Sequence, residues 1–384
     1  MKRCVCFTLG CLGLLAAKVE ASNGSQYAGY GAQAMGMGGA SIANPTDALA
    51  AVNNPAGMGA VGTRIDGSLT ATVGQLRSNV QGSESSDDVL LFVPGFGANY
   101  QYQPDVTLGV AVSGYGAGID YGKPIPAFGT SNVKSELVQM LIAPTATYQF
   151  QPGHYLGLSV KLGYQSLILH GLENFGANND KDHALGAGLG IGYLGTLAPG
   201  LRLGVTYSTP VRFQKLDAHE DIIPNGRINM PQQAGLGLDY DTGPWTVAFD
   251  YLWIDWSREK ALANSLTQGG APGAGNGPGF GWRDQHVFRF GVNYQYSDKL
   301  QLRTGVSLAN HQVPDREATL IAIAPCNQPK SVHLGLTYNV SKQMEVTGAY
   351  MYDLRHITKG KGASAGSEAG GELHMLTVGL GYKF

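Results

Sequence analysis

Few residues of this 384-residue chain are spaced to make or break bonds. The nine histidines are scattered, and His170, His183, His219, His311 and His333 show no metal-ligand spacing. Ser307 and Ser331 lie near His311 and His333, the one pairing that would suit lipid hydrolysis, and proximity is all that supports it. Gly29-x-Gly31 and Gly36-x-Gly38 neither follow a strand nor open a helix, which argues against a phosphate loop. Glu84, Asp87 and Asp88 could bridge divalent ions on lipopolysaccharide, or simply form a solvated loop. Lys161, Arg202, Arg289 and Arg303 could attract a carboxylate head group; pairing with acids such as Asp47, Asp66 or Asp239 is the competing use. No catalytic residue, metal or cofactor is expected. What remains is the binding of apolar molecules. Tyr27, Tyr30, Met35, Met37 and Met58 are adaptable or amphipathic side chains suited to that, or to filling gaps in packing.

Most of these residues fall in or beside residues 34–58, AMGMGGASIANPTDALAAVNNPAGM. The stretch has too few bulky side chains for a core of its own. Pro45 and Pro55 prevent one long helix, and no period-2 alternation marks a strand. It needs a cavity supplied by the rest of the chain. Charged residues are only 14% of the sequence, Gly numbers 56 and Tyr 19, with a mean hydropathy of -0.08. That balance suits strands with lipid on one side and a crowded lumen on the other. A net charge of -2 favours no nucleic-acid partner. Residues 1–21 read as a secretory signal, with Lys2 and Arg3 before an apolar run over 5–17. Cys4, Cys6 and Cys11 would leave with it, so Cys326 alone would remain and no intrachain disulfide is expected. No later apolar run is long enough for a transmembrane helix, so a membrane role requires strands.

The remainder of the chain reads as strands. Leu156, Leu158, Val160, Leu162 and Tyr164 alternate with Gly157, Ser159, Lys161, Gly163 and Gln165. The same period recurs around Leu189, Phe290 and Leu336. Short connections (NYQYQPDVTLGV, TYQFQPGHYLGL, NYQYSDKLQLRTGV) alternate with longer polar or Gly/Pro-rich ones at 79–88, 116–136, 171–182, 214–227, 258–283, 311–328 and 358–371. The pattern predicts an all-β, fourteen-stranded antiparallel transmembrane barrel with the N-terminal segment as a plug in its lumen. Trp245, Trp253 and Trp256 read as interface-belt residues. The last strand ends in Phe384, which looks like the signal read by the outer-membrane assembly machinery.

The run YAGYGAQAMGMGGASIANPTDALAAVNNPAGM resembles the amino-terminal hatch of the FadL/TodX family of outer-membrane hydrophobic-compound transporters. Gly38, Gly39, Ala40, Asp47, Ala48, Asn54, Pro55, Ala56, Gly57 and Met58 carry the match. Similarity continues through LRLGVTYSTPVRF, FDYLWIDWS and WRDQHVFRFGVNYQYSDKLQLRTGVSL. The resemblance implies a signal at 1–21, a plug at 22–62 and a barrel at 63–384. It implies passive transport of hydrophobic molecules, above all long-chain fatty acids, bound beside the plug and released sideways where the third strand kinks inward. Gly109, Gly114 and Gly116, in the third strand over 106–116, would permit that kink, or merely let the plug pack closely. The implied partners are the apolar cargo, outer-membrane lipid and lipopolysaccharide, with the barrel a monomer. Competing readings are an aqueous porin, a lipid hydrolase, or an aromatic-hydrocarbon transporter of the same family. One departure concerns entry: loops 171–182 and 214–227 are short and polar here. Apolar side chains fall instead in the second, fifth and sixth loops, as Ile125, Phe128, Leu262, Phe280, Leu320 and Ile321.

Overall fold

The computed structural model describes Gly24, residues 26–176 and residues 180–384; the expected signal at 1–21 lies outside the described residues. The strands are β1 (Arg64–Val80), β2 (Ser83–Gln103), β3 (Val106–Asp120), β4 (Lys134–Gln151), β5 (His154–His170), β6 (Asp182–Ala198) and β7 (Leu201–Ser208). They continue as β8 (Arg212–Phe213), β9 (Gln233–Thr242), β10 (Trp245–Ile254), β11 (Gln285–Gln295), β12 (Leu300–Ala309), β13 (Lys330–Asn339), β14 (Met344–Lys359) and β15 (Ser367–Lys383). The two-residue β8 lies against β6, while β7 pairs directly with β9. The other fourteen are staves of one antiparallel ring, which closes where β1 pairs with β15. Closure satisfies the backbone around the ring, a requirement for chain surrounded by lipid, except where the β2–β3 ladder ends early at Phe96 and Val112.

Period-2 alternation sorts side chains between the two faces. Along β5, Leu156, Leu158, Val160 and Leu162 are 41–53% exposed, while Ser159 and Gln165 are fully buried. The same apolar outer face continues through Leu189, Phe290, Leu336 and Leu380. Such a belt on a soluble protein would aggregate; in a bilayer it is the lipid-facing wall. On the outer face, the hydroxyls of Tyr164, Tyr251 and Tyr350 meet Nδ1 of His183, His286 and His374 on neighbouring strands, at 2.8, 2.8 and 2.7 Å. Trp245 lies at the short-turn end, its ring 4.3 Å from that of Tyr294. Trp256 is not a belt residue: it is 1% exposed, stacks edge-on with Trp282 and donates its indole N–H to Gln285.

Two loop expectations change. The connection expected over 79–88 is a two-residue turn at Gln81 and Gly82, both with positive φ, because the polar stretch from Ser83 continues the ladder to β1. Its outward side chains meet water beyond the membrane, so polarity there does not end a strand. The loops expected to be polar supply buried Leu172, Leu216 and Ile223. These join Ile125, Phe128 and Ile321 in one apolar cluster over the end of the ring that carries the long loops.

The chain between Gln26 and the start of β1 lies within the ring. Helix α1 (Ala32–Gly36) packs on β13, β14 and β15. A 3-10 turn over Pro55–Ala60 packs on β3 to β6, across the ring, with helix α2 (Ala50–Asn53) between them. Inward glycines make the room. A Cβ at Gly157 would lie 2.3 Å from Ala56 N and Pro55 C, and one at Gly305 would lie 2.3 Å from Gly38 N. Any larger residue would drive the plug backbone off the wall.

Candidate functional site

The polar faces of the staves are occupied mainly in holding the N-terminal segment. Asp250 Oδ2 accepts the Ser41 and Ile42 N–H groups at 2.7 and 3.0 Å, and Asp66 Oδ2 accepts Ala48 N–H at 2.8 Å. Arg64 donates to Thr46 O at 2.9 Å and pairs with Asp66 and Glu345, each at 2.6 Å. Asn54 sits at the centre of this attachment. Its Nδ2 donates to Ile42 O at 2.8 Å and Tyr193 O at 3.0 Å, while its Oδ1 caps the 3-10 turn by accepting Ala56 N–H at 3.1 Å. Pro55 comes next, at the first position of the turn, where its missing N–H costs nothing. Gly57 and Ala56 are buried beneath it. The N-P-A-G-M element is therefore an anchor to the wall.

The four cations divide in the same way. Arg303 donates to Gln33 Oε1 at 2.7 Å and Arg289 to Gly39 O at 3.3 Å, both plug atoms. Arg202 pairs with Asp239 at 2.5 Å, and Lys161 donates to Ser208 Oγ at 2.5 Å. Ser331 Oγ does lie 2.7 Å from His333 Nε2, but His333 Nδ1 lies 2.7 Å from Met35 O, and both side chains are 1% exposed behind the plug. That pair fastens the plug backbone and has no access for an ester. Burial pushes the Cys326 thiol up to about 12, so it stays protonated and unreactive. Among the described residues no group of His, Cys, Asp or Glu could hold a metal ion.

Among the described residues, the space best suited to an apolar ligand lies between the plug and the wall, while a more polar one of about 650 Å³ lies outside it among Gln75, Arg77, Glu84 and Lys123. A cavity of about 400 Å³ runs from the start of the plug, at Tyr27 and Ala28, to the wall at Leu90, Leu91, Gly116 and Ala117. Its floor is formed by Met351, Leu373 and Met375. Met35 packs behind that floor, against Met351 and Met375. Tyr30 stands edge-on to Tyr115, with ring centroids 5.3 Å apart, and its hydroxyl is pushed well up by burial. Met37 packs on Ala40 and Ala248, and Met58 on Ala51 and Ala111, both away from the cavity. A smaller space of about 50 Å³ under Leu262, Phe280 and Trp282 shares Leu137 and Cys326 with it. The two therefore adjoin beneath the outer loops.

The wall is incomplete beside this cavity. β3 pairs with β4 along its whole length, from Val106 to Asp120. Its pairing with β2 stops at Phe96 and Val112. Beyond that point side chains replace the ladder: a Cβ at Gly114 would lie 2.9 Å from Val93 Cγ1, and one at Gly116 would lie 2.8 Å from Leu91 Cδ2. Gly109 differs, since it lies in the paired half and a Cβ there would lie 2.8 Å from Met58 Sδ. So Gly109 admits the plug, whereas Gly114 and Gly116 line the seam. The sequence carried an overlooked sign of this seam. Pro94, two residues past the last β2–β3 pair, has no N–H to donate, and proline belongs on an unpaired edge. Asp353 was also missed. It is an acid on the inward face of β14, two residues past Met351, and it lines the cavity, whereas the other inward acid of that strand, Glu345, is paired with Arg64. The alternation of Asp353 with outward Tyr350 and Tyr352 was a signal available in the sequence.

Comparison with known proteins agrees with this architecture. The family described as outer membrane protein transport protein (OMPP1/FadL/TodX) matches residues 13–383. The structure of the Pseudomonas putida toluene transporter TodX is similar at a TM-score of 0.72 and 18% identity, covering 93% of this chain and 99% of that one. The Ralstonia pickettii toluene transporter TbuX matches at 0.66 and 18%, over 93% and 99% of the two chains. A Pseudomonas aeruginosa FadL homologue matches at 0.69 and 14%, over 96% and 100%. At these identities the likeness to solved structures is one of fold. No curated protein matches the sequence. With the family match spanning nearly the whole chain, the protein belongs to the OMPP1/FadL/TodX family of outer-membrane transport proteins for hydrophobic compounds, and is a channel and not an enzyme.

Proposed function

We propose that this protein carries its cargo passively, binding it in the cavity beside Tyr27 and releasing it sideways into the membrane between β2 and β3. One observation carries the reading: the apolar cavity opens where the β2–β3 ladder is missing. Release into lipid keeps the apolar surface of the cargo out of water, so the exit need not undo the binding energy. A plug tied to the wall on all sides supports a pathway that avoids the axis of the barrel. None of the four expected head-group cations lines the cavity. That favours uncharged aromatic or alicyclic cargo over the carboxylate of a long-chain fatty acid. Phe384, 75% exposed with its N–H donated to Thr63 O at 3.1 Å, is read as the handle for barrel assembly, and the closed ring as a monomer in lipopolysaccharide-rich membrane.

The test is permeability of liposomes holding the purified protein. A hydrophobic aromatic should enter faster than through protein-free liposomes, and glucose should not. Entry of glucose with a large steady conductance would replace this reading with an aqueous porin.

A further inference from the structure

We infer that Asp353 makes the cavity selective for apolar molecules bearing a hydrogen-bond donor, a hydroxyl above all, and against those bearing a carboxylate. This rests on the proposed transport function and narrows its cargo. Asp353 is 3% exposed, lines the cavity, and its Oδ1 is buried with no hydrogen-bond partner among the described residues. Around it the cavity is built from Met351, Leu373 and Met375. Tyr27 lines the plug side of the cavity, with Thr72 and Asp353 near its hydroxyl.

A cavity serving hydrocarbons alone would gain from a leucine at this position, because a buried carboxyl without a donor is costly. A ligand hydroxyl supplies that donor, and the oxygens of Asp353 accept it whether or not the group is ionised. The register fixes where the donor must go. β14 pairs regularly with β15 up to Asp353 and then shifts before His356, so Asp353 closes the regular ladder. A ligand lying along Met351 and Met375 would have its polar end there.

Charge works in the same direction. Besides Asp353, Tyr27 and the Cys326 thiol, the titratable side chains lining the cavity are Asp87, Asp88, Asp120 and Glu136, against Lys134 alone, and Lys134 is paired with Asp120 at 3.3 Å. A carboxylate would enter a negative field with no uncommitted cation to meet it.

Three probes of one shape separate the possibilities: para-ethylphenol, para-ethyltoluene and para-ethylbenzoate, titrated into the purified full-length protein in detergent. The wild type should bind the phenol about tenfold tighter than the hydrocarbon, the worth of about one buried hydrogen bond, and the benzoate weakest. Asp353→Leu should abolish or reverse the preference for the phenol. Asp353→Asn, the variant closest in shape, should keep part of that preference and bind the benzoate better than the wild type does. Equal binding of phenol and hydrocarbon, tightest binding of the benzoate, or an unchanged preference in Asp353→Leu would overturn the inference while leaving the transport reading standing. Failure of all three probes to bind would overturn both.

Discussion

The seam between β2 and β3 can be sewn shut. In a disulfide each Cβ lies about 3 Å from the partner sulfur. A Cβ at Gly114 would lie 2.9 Å from Val93 Cγ1, so Val93→Cys with Gly114→Cys should cross-link with little movement. The unpaired edge of β3 runs from Ser113 to Asp120. At about 3.3 Å per residue that is roughly 26 Å, comparable to the apolar height of a barrel wall. One bond near its base would hold the two strands together where the cavity meets lipid. Cargo would then have to leave through water. For a ligand of about seven carbons that forfeits on the order of 5 kcal/mol, slowing escape roughly a thousandfold or more. Uptake by liposomes holding the oxidised protein should fall at least about tenfold, the bound capacity in detergent should be unchanged, and reductant should restore transport. Thr70→Cys with Thr377→Cys bridges paired positions of β1 and β15, and should leave uptake unaffected. Wild-type uptake by oxidised Val93→Cys/Gly114→Cys protein, with the cross-link verified by mass, would refute lateral release.

The plug makes further predictions. Asn54→Ala removes three hydrogen bonds, at 2.8, 3.0 and 3.1 Å, two of them buried, and should weaken seating of the plug by about 2–4 kcal/mol, seen as transient channel openings in planar bilayers. Gly157→Val forces a side chain into Pro55 and Ala56 and should destabilise the plug by about 1–3 kcal/mol, measured as protease sensitivity of the N-terminal segment in folded barrels. Burial, with the Asp66 carboxylate beside it, pushes Asp47 up to about 7, while Arg64 opposes the shift and Glu345 adds to it. The folded state thus holds this proton more tightly than the unfolded chain. Its contribution is full below about pH 4 and is lost as pH rises through about 7. Plug protection should therefore fall between those values, and Asp47→Asn should flatten the profile; an identical slope in that variant would count against the assignment.

Alternation along Leu156 to Gln165, repeated at every stave, determined the barrel, because in lipid a period-2 strand has one solution for its backbone groups and one for its two faces. The N-P-A-G-M element was equally legible as part of a plug. Its task was not: Met58 looks like a lining residue until the wall is in place, when it packs on Ala111, and the partner that Asn54 finds, Tyr193, is equally far away in sequence. Arg289 and Arg303 misled for the same reason, since a cation in sequence does not show whether a plug carbonyl or amide already occupies it. Gly109, Gly114 and Gly116 look alike in the chain, and only the extent of β2–β3 pairing separates plug contact from seam. Local periodicity fixes which way a side chain points. The groups it meets there depend on ring closure, which brings β14, β2 and the plug together around Asp353.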